Sequence, residues 1–117
     1  MLPIDNASSI RRATEHPGVI FLLAEEQGNL VGSLIGAFDG WRGNMYRLVV
    51  LPSHRRKGIA TNLVRRVDEI FGQWKVNRVT ALVENDRPWA IQFWESVGYP
   101  RDDHSIRHVA NLNSAAA

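Results

Sequence analysis

Cysteine is absent from the sequence, which excludes a disulfide framework, a thiolate metal site and a cysteine nucleophile. Long apolar runs are absent too. The longest, Val19–Ala24, is far too short to cross a bilayer, so no membrane partner is expected. No basic N-terminal region leads into an apolar stretch, so a secretory leader is not supported and the cytoplasm is the default compartment. Excess charge of one sign is small: 14 Lys and Arg against 12 Asp and Glu leave a net charge of +2. Neither G-x-x-x-x-G-K-S/T nor G-x-G-x-x-G occurs, which argues against a P-loop nucleotide hydrolase and a dinucleotide-binding turn. H-E-x-x-H is missing as well. His16, His54, His104 and His108 are scattered and read as surface or substrate-rim residues, so no metal is expected.

What is present fits one domain spanning residues 1–117, large enough for a single two-layer core. The 44% hydrophobic and 22% charged shares are ordinary for a globular protein and argue against disorder as the default state. Asp5–Asn6 and Ser8–Ser9 offer N-caps for a short helix through about Glu15, closed by Pro17-Gly18. Val19–Glu25 and Leu30–Phe38 read as an antiparallel hairpin about Gln27-Gly28-Asn29. Gly32 and Gly36 either weaken the second strand or mark places where something packs closely. Asp39–Asn44 is a loop by composition, and Met45–Leu51 is a third strand stopped by Pro52. Ile59, Leu63, Val64, Val67, Ile70 and Phe71 recur at helical spacing, predicting an amphipathic helix over Gly58–Phe71. Arg78–Glu84 follows as a strand. Pro88 opens another helix, with Ala90, Ile91, Phe93, Trp94 and Val97 as its apolar stripe and Gly98 as its C′ residue. Ile106–Leu112 reads as a final strand. Strand–helix–strand over Met45–Glu84 implies a right-handed parallel crossover, so the fold class is α/β or α+β with a mixed sheet.

The small positive excess is concentrated. His54, Arg55, Arg56 and Lys57 are consecutive, and Arg65 and Arg66 follow within two helical turns. A compact basic cluster in a nearly neutral chain points to one anionic ligand rather than to a nucleic-acid-wrapping surface, and no nucleic-acid partner is expected. The cluster lies between the end of a strand and the start of a helix. Free N–H groups at a helix N-terminus suit a phosphate or pyrophosphate, and Gly58, without a β-carbon, lets ligand oxygens approach the backbone. On charge and glycine alone, a solvated basic turn that merely starts a helix remains an equal reading.

Arg55-x-x-Gly58-x-Ala60, after Val49-Val50-Leu51-Pro52 and before an amphipathic helix, resembles the acetyl-CoA motif Q/R-x-x-G-x-G/A of the GNAT N-acetyltransferases. Ala90–Tyr99 (Ala-Ile-Gln-Phe-Trp-Glu-Ser-Val-Gly-Tyr) is similar to that family's A-x-x-F/L-Y/W-x-x-x-G-F/Y helix, at the family's distance from the first motif. The resemblance covers about Val19 to Leu112. It implies a GNAT-like acyl-CoA N-acyltransferase fold with a shortened N-terminus, acetyl-CoA as co-substrate, and direct attack by an amine of a small molecule or peptide on the acetyl thioester. Leu48, Val49 and Val50 would pair with the pantetheine arm like an added strand. Arg55, Arg56, Lys57, Gly58, Ile59, Ala60 and Thr61 would wrap the pyrophosphate through main-chain N–H groups. A backbone N–H near Val49 or Val50 would polarise the thioester carbonyl.

Proton transfer is where the sequence departs from the family pattern. The family's frequent strand glutamate falls on Leu82; Glu84, two residues on along the same strand face, is the substitute base, or a solvated strand-end carboxylate. Asn44 and Tyr46 occupy the alternative base positions, and Tyr46 either relays a proton or packs in the core. The family's thiolate-protonating tyrosine falls on Trp94, expected at the cofactor, and its CoA-contacting asparagine falls on Arg87, with Asn85 the nearest substitute. Tyr99 is the nearest remaining phenol, though the motif makes it a core residue. Trp41 and Arg42 are expected to border the acceptor pocket, with capping of the core edge as the plain alternative for Trp41. Few residues precede the first strand, so the acceptor side is expected to be open or covered by a second subunit in a homodimer. A catalytically weak CoA-binding sensor or interaction module is the alternative function.

Overall fold

The structure is a computed structural model that describes residues 7–83 and 88–112. Its elements are α1 (Ala7–Glu15), β1 (Val19–Glu26), β2 (Asn29–Phe38), β3 (Gly43–Val50), a 3-10 turn (Pro52–His54), α2 (Ile59–Gln73), β4 (Val79–Ala81) and α3 (Pro88–Ser96). Together they make one mixed sheet in the order β1-β2-β3-β4. β2 runs antiparallel to both β1 and β3, and β4 joins β3 in parallel after the crossover through α2.

Local chemistry explains most of these boundaries. Gln27 and Gly28 both have positive φ (53° and 80°), the two-residue turn whose twist suits a hairpin, and it sets β1 against β2 from Glu26–Asn29 to Val19–Ala37. Leu63, Val64, Val67 and Phe71 lie on one side of α2 and pack on Ile20, Leu34 and Met45 from the sheet, with Trp94 of α3 completing the buried core. β2 carries glycine where α2 comes closest. A β-carbon on Gly36 would lie 2.8 Å from Val67 Cγ1, and one on Gly43 of β3 would lie 2.9 Å from Phe71 Cε2.

α2 and α3 end in the same way. The Val76 N–H donates to Phe71 O (3.0 Å) and the Lys75 N–H to Gly72 O (3.1 Å), with Lys75 at φ 59°. In α3 the Tyr99 N–H donates to Trp94 O (2.8 Å) and the Gly98 N–H to Glu95 O (3.2 Å), with Gly98 at φ 97°. Both pairs of bonds satisfy carbonyls that the helix leaves open, so Gly98 is the expected C′ residue.

Four expectations need correction or fall outside the described residues. Ile106–Leu112 is not a strand: it makes no ladder, and Ile106 is 85% exposed. Val109 and Leu112 are exposed as well, so no apolar burial holds a strand there. Ser8–Ser9 lie inside α1 rather than before it, and Asp5–Asn6 lie outside the described residues. The strand expected over Arg78–Glu84 is shorter, Val79–Ala81, extended by one bond from the Leu82 N–H to Met45 O (3.0 Å). Glu84, Asn85 and Arg87 lie outside the described residues.

Candidate active site

The loop between β3 and α2 is built to leave N–H groups unused. The Leu51 N–H still bonds Val31 O (2.9 Å), Pro52 then halts the strand, and the 3-10 turn closes with the His54 N–H on Leu51 O (2.9 Å). Arg55 is extended (φ −72°, ψ 156°), Arg56 turns back at φ 64°, and Gly58 sits at φ 83°, ψ 4° as the N-cap of α2. The first bond back to the cap runs from the Asn62 N–H to Gly58 O (3.0 Å), so the N–H groups of Ile59, Ala60 and Thr61 precede the helical ladder. No side chain caps this end, and no acid stands in the first turn. A β-carbon on Gly58 would meet nothing within 4 Å, so the space over the cap is open. Arg55, Arg56 and Lys57 surround it, all exposed. Uncapped N–H groups and three cations around open space fit an anionic group such as a pyrophosphate.

Contacts on both flanks hold the loop. His54 Nε2 lies 3.4 Å from Glu26 Oε2 at the end of β1, and its Nδ1 lies 2.8 Å from Ser53 Oγ. On the other side the Arg55 guanidinium lies over the ring of Trp89, 5.0 Å from its centroid. Neither Glu26 nor Trp89 stood out in the sequence. Each is remote from the loop along the chain, and no spacing rule links them to it.

The strand that leads into the loop is irregular. Val49 pairs with Ser33 and Tyr46 with Ile35, so Arg47 and Leu48 together oppose Leu34. This is a β-bulge, and Arg47 takes a positive φ of 59° to make it. β4 pairs with β3 only over Gly43–Met45. Beyond that, the edge of Leu48–Val50 turned away from β2 has no strand partner among the described residues. Extended backbone with one open edge fits a ligand arm carrying amide groups, which would pair with it as another strand does.

Tyr46 is half-buried in β3. Burial, and then the negative charge of Asp39, push its phenol above the ordinary 10.0, so it holds its proton at neutral pH. Asp39 shapes the loop before β3: its Oδ1 accepts the N–H groups of Arg42 and Trp41, both at 2.8 Å, and these bonds lower its pKa. In that loop the Arg42 guanidinium stacks on Trp41, 4.0 Å from the ring centroid, and Trp41 is 71% exposed, so it does not cap the core edge. Trp41 and Arg42 lie at the opposite end of β3 from the anion loop, on the side whose charge reaches Tyr46.

Trp94, expected at the cofactor, is 5% exposed and sits within the core, edge-on to Phe93 and Tyr99. The Tyr99 N–H also donates to Trp94 O at the helix end. Tyr99 itself donates from its hydroxyl to Asp68 Oδ1 of α2 (2.5 Å). Burial and that carboxylate raise its pKa far above the ordinary value, so it is no proton source near neutral pH. No group of three or more potential metal ligands occurs among the described residues.

A basic, uncapped loop between a bulged strand and an amphipathic helix now stands beside a second helix ending in Gly98-Tyr99. The sequence model of the acetyltransferase (GNAT) family matches residues 3–99. The chain belongs to the GNAT acetyltransferase family. An acetyltransferase of Sodalis glossinidius (strain morsitans) is 33% identical to it over 99 residues, which is 85% of this chain and 70% of the relative. Among solved structures, an aminoglycoside acetyltransferase from an uncultured soil metagenomic sample, in complex with sisomicin, superposes with a TM-score of 0.78 at 14% identity. The match covers 95% of this chain and 77% of that one. A predicted acetyltransferase of Clostridium acetobutylicum, solved with acetyl-CoA, gives 0.77 at 13% identity, covering 93% and 79%. These two likenesses show the fold, and the GNAT assignment rests on the family match and the sequence relatives. No helix among the described residues of this GNAT protein is long and apolar enough to cross a membrane.

Proposed function

We propose that this GNAT protein transfers an acetyl group from acetyl-CoA to a primary amine of a small molecule or peptide. The observation that carries the reading is the open, uncapped N-terminus of α2, next to Arg55, Arg56 and Lys57, after a strand whose outer edge at Leu48–Val50 has no strand partner among the described residues. Bound acetyl-CoA supplies an activated acetyl thioester. The chain's own part is to neutralise the pyrophosphate at Arg55–Thr61, to align the pantetheine arm along Leu48–Val50, and to aim a backbone N–H of Val49 or Val50 at the carbonyl oxygen where negative charge develops. The acceptor amine attacks directly and must arrive neutral. Glu84 is the proposed base and Asn85 a proposed CoA contact. Tyr46, half-buried and holding its proton, is proposed to donate a hydrogen bond beside the bulge.

Trp41 and Arg42 are proposed to line the acceptor side, since the Asp39 that holds their loop also acts on Tyr46. Changing Trp41 to Ala is expected to raise KM for the acceptor while leaving KM for acetyl-CoA within about twofold. The aminoglycoside acetyltransferase among its structural neighbours makes aminoglycosides the first amines to try.

A second reading, a CoA-binding module with little turnover, is favoured by one feature. An indole buried in the core stands where a phenol would protonate the thiolate, and Tyr99 is tied to Asp68. Calorimetric titration of acetyl-CoA and CoA into the wild type and an Arg56→Glu, Gly58→Asp double variant tests the binding site. Thiol release with a panel of amines then separates the two readings. Binding by the wild type alone, followed by amine-dependent thiol release, supports the enzyme. Binding without release by any amine supports the module, and no binding by a folded wild type removes both.

A further inference from the structure

One large aromatic beside the anion loop has no part in the core. Trp89, in the first turn of α3, is 52% exposed, whereas Trp94 on the same helix is buried. Its neighbour is Arg55, whose guanidinium lies 5.0 Å from the indole centroid. No carboxylate pairs with Arg55 among the described residues, and the indole is the group on which its guanidinium lies. A guanidinium is planar, weakly hydrated and stacks readily, and a half-exposed indole keeps ring surface available to a second flat group. The same surface therefore presents two kinds of recognition side by side: charge and N–H groups for phosphates, and a π-platform for a purine. An anion without a base would need only the first.

We propose that the Arg55–Trp89 pair is a stacking platform for the adenine of CoA, so that the protein reads the nucleotide end of its acyl donor as well as the pyrophosphate and the pantetheine arm. The inference rests on acetyl-CoA being the ligand of the anion loop. It commits the protein to free CoA thioesters. Acetyl groups carried on 4′-phosphopantetheine, the form borne by carrier proteins, lack the base and forgo this contact.

The test is titration of CoA and of 4′-phosphopantetheine into the wild type, Trp89→Ala and Trp89→Phe, with circular dichroism confirming that each variant is folded. Removing the platform is expected to weaken CoA binding about tenfold, a loss of about 1.4 kcal/mol. Binding of 4′-phosphopantetheine should stay within about twofold, because that ligand never reaches Trp89. Trp89→Phe keeps an aromatic face and should recover most of the CoA affinity. A purely structural role for Trp89 would weaken both ligands together, and that result overturns the proposal. So does unchanged CoA affinity in Trp89→Ala. Failure of the wild type to bind either ligand is a different outcome: it removes acetyl-CoA as the ligand and this inference with it.

Discussion

Two glycines with opposite jobs make the residue-scale argument. Gly36 is needed for space, because a methyl group there would meet Val67 Cγ1 at 2.8 Å and Phe71 Cζ at 3.3 Å. Gly58 is needed for conformation, because it holds φ 83° with nothing near its missing β-carbon. Gly36→Ala is therefore expected to cost about 1–3 kcal/mol in urea unfolding, by overpacking against α2. Gly58→Ala should cost about 1 kcal/mol, from left-handed backbone strain. Only the Gly58 change should also weaken acetyl-CoA binding, and equal binding losses for the two variants would refute the separation. The sequence already flagged both residues, since glycine in a strand and glycine before a helix each have few explanations. It did not show which atoms would fill the space. Tyr99 adds a pH-dependent case. Its pKa is raised above the ordinary 10.0, so the folded state retains the proton longer than the unfolded chain does. That stability is fully present below about pH 10 and is lost as pH climbs further. Tyr99→Phe should destabilise by about 1 kcal/mol near neutrality through the lost bond to Asp68. Its melting temperature should fall less steeply than that of the wild type between pH 9 and pH 11, and parallel curves would exclude the linkage.

Elements stop where local chemistry stops them, and one stop is imperfect. α2 ends with the same pair of backbone bonds as α3, yet its left-handed position holds Lys75 where α3 has Gly98. Gly72, in the last turn of α2, has open space where a β-carbon would go. Exchanging the preferences, with Lys75→Gly at the cap and Gly72→Ala inside the helix, should stabilise the protein by about 0.5–1 kcal/mol at each position. Denaturant unfolding would check this, and a loss from Lys75→Gly would mean that its side chain makes a contact worth more than the strain. The same local logic shows why some elements were legible. α2 announces itself by an apolar residue every third or fourth position over several turns, and α3 by Pro88 at its start and Gly98 past its end. Ile106–Leu112 has β-branched residues and apolar residues on alternate positions, yet Ile106 and Leu112 stay exposed and the structure forms no strand there. A motif position fixes a residue's place along a helix, whereas the side it faces depends on what packs there, and Trp94 packs in the core.

At the scale of the whole molecule, the proposed cofactor loop leaves several local preferences unmet. Three consecutive cations repel one another around Gly58, Arg56 and Gly58 both hold left-handed backbone, and the start of α2 has no cap. A ligand that supplies negative charge and acceptors at this point offsets the repulsion and caps the helix, so it should stabilise the fold by more than casual surface binding would. At a hundredfold excess over Kd, any ligand that binds only the native state adds about 2.7 kcal/mol. For a domain of this size that corresponds to a rise in Tm of roughly 10 °C. Acetyl-CoA at that excess should produce such a shift. Inorganic pyrophosphate, which offers only the anion, should give a smaller shift that fades as potassium chloride is raised, because exposed charges are screened within about 10 Å at 0.1 M salt. The acetyl-CoA shift should survive the same salt in larger part, since the pantetheine arm and the base bind through contacts that ions do not screen. Thermal melts over a salt series would separate these contributions. Equal and complete loss of both shifts in salt would mean that the loop holds anions by charge alone, and that the open edge of Leu48–Val50 has no share in binding.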